Sequence, residues 1–233
     1  MIKLIIIIIV ITLFYYCYSQ HLHINFKTFF KKGFKKYDND FGLYCFTGKQ
    51  GKGKTYSATK FCLDQQKIYD YTILTNIKSF AQSSSNITSA LYIPDINTII
   101  DYCVKFENNE EKVIIFFDEI FTILNKNTPI NKKILSFLSQ LRKRHIIFIT
   151  TAQEWSEINI TFRRYVRFQI ACNMISLPLI KTAIVVNAVN DGDLIKWDND
   201  LQDFVAPRLQ TNISKGLKEV IDRYDTFETI NTN

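Results

Sequence analysis

Glycine is scarce in this chain, with seven in 233 residues. Glycine-rich surface turns are therefore few, and a chance match to a glycine-dependent loop pattern is hard to obtain. Paired cysteines are missing too. The five (Cys17, Cys45, Cys62, Cys103 and Cys172) are scattered, odd in number and never spaced C-x-x-C, which argues against a disulfide framework or a zinc site and for a reducing compartment. No compositional break divides the chain into two large units. With 47% hydrophobic residues it can bury one sizeable core, so one medium domain with appendages is expected. No A-x-A-like cleavage site follows the N-terminal apolar run, and no second long apolar run follows residue 18.

That N-terminal run, Leu4 to Tyr18, carries no charge, and Thr12 interrupts its apolar character. Three readings compete: a membrane anchor, a secretory signal, and a buried start. The first is the expectation. Residues 1–20 then form a hydrophobic segment and single-pass anchor, 21–40 a basic-aromatic juxtamembrane linker, and 41–233 the folded domain. Lys27, Lys31, Lys32, Lys35 and Lys36 would hold that domain on the cytoplasmic side. Interleaved with Phe26, Phe29, Phe30 and Phe34, the same lysines could instead form an amphipathic helix on a membrane surface. The formal charge of +7 and pI near 9.0 suggest an anionic partner: nucleic acid, a lipid surface or a nucleotide.

The stretch FGLYCFTGKQGKGKT, Phe41 to Thr55, fills the phosphate-loop pattern G-x-x-x-x-G-K-[ST] with Gly48, Gly53, Lys54 and Thr55. The intervening Lys49, Gln50, Gly51 and Lys52 complete the expected nucleotide-binding loop, with Tyr56 directly after it. Leu43 to Phe46 reads as the buried strand feeding the loop. Tyr56 to Gln66, free of glycine and proline, reads as the helix behind it. ATP and Mg2+ are the cofactors this pattern implies: Lys54 would reach the β- and γ-phosphates, and the Thr55 hydroxyl would sit on the metal.

Val113 to Phe117, VIIFF, is a buried strand that ends in Asp118 and Glu119. Standing alone, this would be an ordinary strand with solvated acids. Beside the phosphate loop it reads as a Walker B pair, with Asp118 holding the magnesium shell through water and Glu119 orienting and deprotonating the attacking water as general base. Between these motifs, Tyr71 to Thr75 is expected as a strand ending in Asn76, Gln82 to Ser89 as a loop, and Ile96 to about Phe106 as a helix capped by Asp95. Ile134 to Leu141 is a helix running into Arg142, Lys143, Arg144 and His145, and His145 to Thr151 is a further buried strand, with His145 at its start. Gln153 lies just beyond, at the edge where such sheets bind ligands, and can reach a γ-phosphate or serve as a loop hydrogen-bonder. Tyr165 to Asn173 and Ile180 to Val189 are strands around a turn containing Pro178, an antiparallel addition to the sheet. Asp191 to Asp193 is a turn, and from Leu194 on the chain becomes more polar, with Pro207 and a basic segment, Lys215 to Lys218, leading to YDTFE at Tyr224 to Glu228. The alternation predicts an α/β fold.

The loop GKQGKGKT, the strand TILTNI, the acids of IIFFDEI and the block LRKRHIIFITTAQEWSEINITFRRYVRF together resemble the FtsK-HerA superfamily of DNA-translocating P-loop ATPases. The resemblance covers roughly residues 41–175. It is nearest to small viral genome-packaging ATPases and to zonular occludens toxin-like assembly ATPases of filamentous phages. It implies a RecA-like, mostly parallel central sheet flanked by helices, ATP hydrolysis coupled to DNA movement, and Gln153 as a polar sensor. It further implies a homo-oligomeric ring, usually a hexamer, that works with viral capsid or membrane proteins and is virion-associated or held at a host membrane. Ring sites take a transition-state arginine from the neighbour, and Arg142, Arg144, Arg163 and Arg164 are the candidates. Arg163 and Arg164 read equally well as solvated charge. The chain departs from cellular translocases in its small size and in lacking an evident DNA-reading domain.

Overall fold

The computed structural model describes residues 2–19, 22–24, 41–69, 71–83, 90–105, 112–177, 182–194, 196–199 and 203–225. Its centre is a nine-stranded sheet in the order β1-β11-β8-β7-β2-β6-β5-β3-β4. The strands, numbered along the chain, are β1 (Leu22–Ile24), β2 (Gly42–Thr47), β3 (Thr72–Thr75), β4 (Ala90–Tyr92), β5 (Val113–Phe117), β6 (Ile147–Ala152), β7 (Val166–Leu177), β8 (Thr182–Asp191) and β11 (Arg208–Lys215). From β7 to β4 the neighbours run parallel. On the other side β8 pairs antiparallel with β7 and with β11, the addition expected from the turn at Pro178. A separate hairpin, β9 (Lys196–Asp198) with β10 (Asp203–Val205), precedes β11.

The parallel strands carry apolar side chains in unbroken runs because both faces are covered. Leu43, Cys45, Ile115 and Phe148 pack on one face with Ile99 and Cys103 of helix α4 (Ile96–Lys105) and Phe137 and Leu138 of α5 (Lys132–Gln140). Tyr44, Phe46, Phe116 and Ile149 point the other way, onto Ala58, Phe61 and Cys62 of α2 (Lys54–Tyr69) and Phe80 of α3 (Lys78–Ser83). Fully burying each of the larger side chains contributes roughly 1.5–3 kcal/mol, which fixes strand register: a one-residue slip would exchange the two faces. Caps set the helix starts. The Asp95 carboxylate accepts from the Thr98 N–H at 2.8 Å ahead of α4, and Asn131 accepts from the Lys133 N–H at 2.9 Å ahead of α5.

Several expectations change. Gln82 and Ser83 close α3 instead of opening a loop; residues 84–89 fall outside the described residues. His145 is not a strand residue: its φ of 53° puts it in a left-handed turn, its ring 4.8 Å from that of Phe41, and β6 begins at Ile147. Beyond the elements read from the sequence, the stretch after Leu194 holds β9, β10, β11 and a short helix, Lys218–Ile221, and β1 pairs with β11. The larger correction is at the N-terminus. The apolar run forms α1 (Ile2–Ser19), 18 residues long. At about 1.5 Å per residue it falls short of the roughly 30 Å hydrocarbon core of a bilayer. Among the described residues no helix is long and apolar enough to cross a membrane, so the single-pass anchor, and the placement at a membrane face that followed from it, are not supported. The lysines and phenylalanines between Phe26 and Lys36 lie outside the described residues.

Candidate nucleotide site

The loop from Gly48 to Lys54 leaves β2 at its C-terminal end and opens α2. Two glycines are required by geometry. Gly48 has φ 149°, and a Cβ there would lie 2.8 Å from the Cys172 carbonyl; Gly53 has φ 78°, and its Cβ would meet the Met174 Cε at 2.8 Å. A side chain at position 48 would push the loop off the Cys172 backbone of β7, whereas at position 53 the Met174 methyl can swing aside and it is the left-handed φ that calls for glycine. Lys49, Gln50, Gly51 and Lys52 are exposed on the loop, whereas Lys54 is buried, its Nζ 3.5 Å from the Lys49 carbonyl. An ammonium folded back inside a turn of backbone amides is a binding arrangement for a polyanion.

β6 lies between the loop strand β2 and the acid strand β5, so the ends of all three strands meet. The Thr55 hydroxyl lies 3.3 and 3.5 Å from the two oxygens of Asp118, across 63 residues of sequence. Thr151, at the end of β6, donates its hydroxyl to the Asp118 carboxylate and accepts the Glu119 N–H at 2.9 Å. Asn76, at the end of β3, grips the backbone of Asp118 from both sides: its Oδ1 accepts the Asp118 N–H at 2.8 Å, and its Nδ2 donates to the Asp118 carbonyl at 3.1 Å. Burial pushes the Asp118 carboxyl up to about 6; the nearby Glu119 charge adds to this, while the hydroxyls of Thr151 and Thr55 and the Lys54 charge pull it down. Glu119 itself sits at φ 54°, ψ 51°, a left-handed conformation that is costly for a side-chain-bearing residue. The strand ends there and the carboxylate is left half-buried at the rim.

Gln153 follows β6 at this same edge, and its carbonyl accepts the Gly48 N–H at 3.2 Å, joining the two strand ends through the backbone. The Tyr56 side chain turns away, its hydroxyl accepting the Leu217 N–H at 2.8 Å; what remains on the loop is its backbone amide. The arginines lie elsewhere. Arg142 reaches the Asp193 carboxylate at 2.8 and 3.0 Å, and Arg144 reaches the Gln140 Oε1 at 2.7 and 3.0 Å. Both precede β6, so they stand at the opposite edge of the sheet from the loop. Arg164, exposed, precedes β7 at that edge too. Arg163 is buried, its guanidinium 5.7 Å from the centre of the Trp155 ring, which leaves little of it to offer another molecule.

The donors fit a magnesium nucleotide. A threonine hydroxyl and a carboxylate brought together at the mouth of the loop are hard oxygen ligands of the kind magnesium takes, alongside phosphate oxygens and water. Asn76 and Thr151 went unrecognised in the sequence. Polar strand-end residues are common, and their value here depends on β3, β5 and β6 being neighbours.

This sheet, loop and acid pair define a P-loop ATPase domain. The chain belongs to the ATPase family associated with various cellular activities (AAA), whose model matches residues 44–174. Among solved structures it is similar to the N-terminal domain of zonular occludens toxin from Neisseria meningitidis, at 16% identity over 79% of this chain and 98% of that one, with a TM-score of 0.49. It is also similar to the genome packaging NTPase B204 from Sulfolobus turreted icosahedral virus 2 in complex with ATP-gammaS, at 10% identity over 78% and 100%, with a TM-score of 0.47. No curated protein matches the chain.

Proposed function

We propose that this domain hydrolyses ATP with magnesium and uses the energy to move nucleic acid, most specifically a viral genome into a capsid. The observation that carries the hydrolytic part is the meeting of Thr55 with Asp118 beside the buried Lys54. Lys54 and the loop amides bind the β- and γ-phosphates. Thr55 would hold magnesium through its hydroxyl and Asp118 through a water of the metal's shell, and the bound metal would neutralise charge on those phosphates. Glu119 accepts the proton of the attacking water on a carboxylate oxygen, and Gln153 orients the γ-phosphate from the end of β6. Because Arg142, Arg144 and Arg164 stand at the far edge of their own sheet, any of them that stabilises the transition state does so in a neighbouring subunit of a ring, a hexamer by the sequence resemblance.

The transport part rests on the motif resemblance and the charge of +7. A basic surface would hold DNA through its phosphates, with little base preference and with affinity falling steeply as salt rises. The test is ATP turnover of the full chain with duplex DNA, with single-stranded DNA and with neither. Stimulation by duplex supports packaging, and stimulation by single strands alone favours filamentous-phage extrusion. ATP binding without turnover under all three conditions would replace the motor with a nucleotide-gated assembly scaffold.

A further inference from the structure

We propose that the C-terminal segment Leu217 to Asp225 is a brace that sets the spacing between the Thr55 hydroxyl and the Asp118 carboxylate, with Tyr56 and Tyr224 as positioning residues. The inference rests on reading that pair as the magnesium-holding corner. One end of the brace is tied to the phosphate-loop helix: the Leu217 N–H donates to the Tyr56 hydroxyl at 2.8 Å in a buried contact, and Tyr56 directly follows Thr55. The other end is tied to α3. The Arg223 guanidinium donates to the Ser83 carbonyl at 2.7 Å, the Ser83 hydroxyl donates to the Arg223 carbonyl at 2.7 Å, and the Asp225 N–H donates to the Ser79 hydroxyl at 2.9 Å. α3 begins two residues after Asn76, whose side chain holds the Asp118 backbone.

Between its ends the brace is packed. Leu217 and Val220 cluster with Tyr56 and Val185, and Tyr224 and Met174 close over them. Met174 is also the side chain that fills the space above Gly53. Burial first, then the charges of Asp118 and Tyr56, push the Tyr224 hydroxyl up to about 12, in keeping with its place near the acid corner. The chain of contacts therefore runs from Thr55 through Tyr56 and Leu217, along the packed brace to Ser83 and Ser79 of α3, and on to Asn76 and Asp118, joining two groups that come from a helix and a strand end. Magnesium demands near-ideal octahedral geometry, so drift in ligand spacing weakens metal-dependent binding. Binding through the loop amides and Lys54 does not need that spacing.

The experiment compares binding of a fluorescent ATP analogue to the full chain in magnesium and in EDTA, with melting temperature read in parallel. Tyr224→Ala and the double variant Ser79→Ala/Ser83→Ala should lose about tenfold in affinity in magnesium while staying within about twofold of the wild type in EDTA, a loss typical of residues that orient metal ligands. Tyr224→Phe keeps the ring and should restore most of the affinity. Equal losses under both conditions, or no loss in magnesium, would overturn the brace. If the wild type binds no nucleotide under either condition, the reading of the site itself falls and the brace falls with it.

Discussion

Replacing Asn76 with alanine removes a side chain that makes two hydrogen bonds to one peptide. Asn76 is 3% exposed, and its amide satisfies both the N–H and the C=O of Asp118 at 2.8 and 3.1 Å. Alanine leaves two buried backbone groups unpaired. Each unsatisfied group costs about 1–3 kcal/mol, and partial entry of water into the vacated space keeps the sum near about 2–4 kcal/mol. For a domain of this size each kcal/mol shifts Tm by about 2–4 °C, so Asn76→Ala should melt about 4–16 °C below the wild type. Asn76→Asp retains the acceptor but sets an oxygen against the Asp118 carbonyl and a negative charge beside an acid already hard to ionise, so it should not rescue. Scanning calorimetry in nucleotide-free buffer provides the measurement. A melting temperature for Asn76→Ala within about 2 °C of the wild type would refute the assignment of this clamp.

Other perturbations separate roles within the site. The Asp118 carboxyl titrates near 6 folded against 3.8 ordinarily. The native chain thus binds more protons between those values, and the nucleotide-free protein loses stability as pH rises through that window. Asp118→Asn removes the buried charge and should melt above the wild type at pH 8, with a smaller difference at pH 4.5; the reverse order would contradict the burial argument. Glu119→Gln should bind ATP normally yet turn it over at least about a hundredfold more slowly in a steady-state assay, and normal turnover would remove it from the general-base role. Mixing Arg144→Ala with Lys54→Ala subunits should restore part of the activity if Arg144 acts across an interface; Arg142 and Arg164 are tested likewise, and full activity of a dilute monomer would exclude all three.

The phosphate loop and the acid pair were legible in the sequence because their chemistry needs fixed residue types at fixed spacing next to apolar strands. β5, as VIIFF, was readable to the residue for the same reason. What escaped depends on contacts distant in sequence. Asn76 reaches Asp118 only through the parallel pairing of β3 with β5, in which Thr75 lies opposite Phe116. β11 reads as polar, RLQTNISK, because its residues are mostly half-exposed at the antiparallel side of the sheet. β4 is three residues long and carries exposed Leu91 and Tyr92, too short for any periodicity. The N-terminal run misled because its lack of charge outweighed its length, which is short of the roughly 20 residues that a spanning helix needs. His145 misled because the apolar run behind it concealed a left-handed turn.

The central claim is that Lys54, Thr55 and Asp118 together make a magnesium-dependent ATP site. It is tested most directly by release of inorganic phosphate from ATP by the purified full chain, in magnesium and in EDTA, beside Lys54→Ala. The account predicts turnover by the wild type in magnesium, none above background in EDTA, and none by Lys54→Ala at any magnesium concentration. Undiminished hydrolysis by Lys54→Ala, or by the wild type in EDTA, would contradict it.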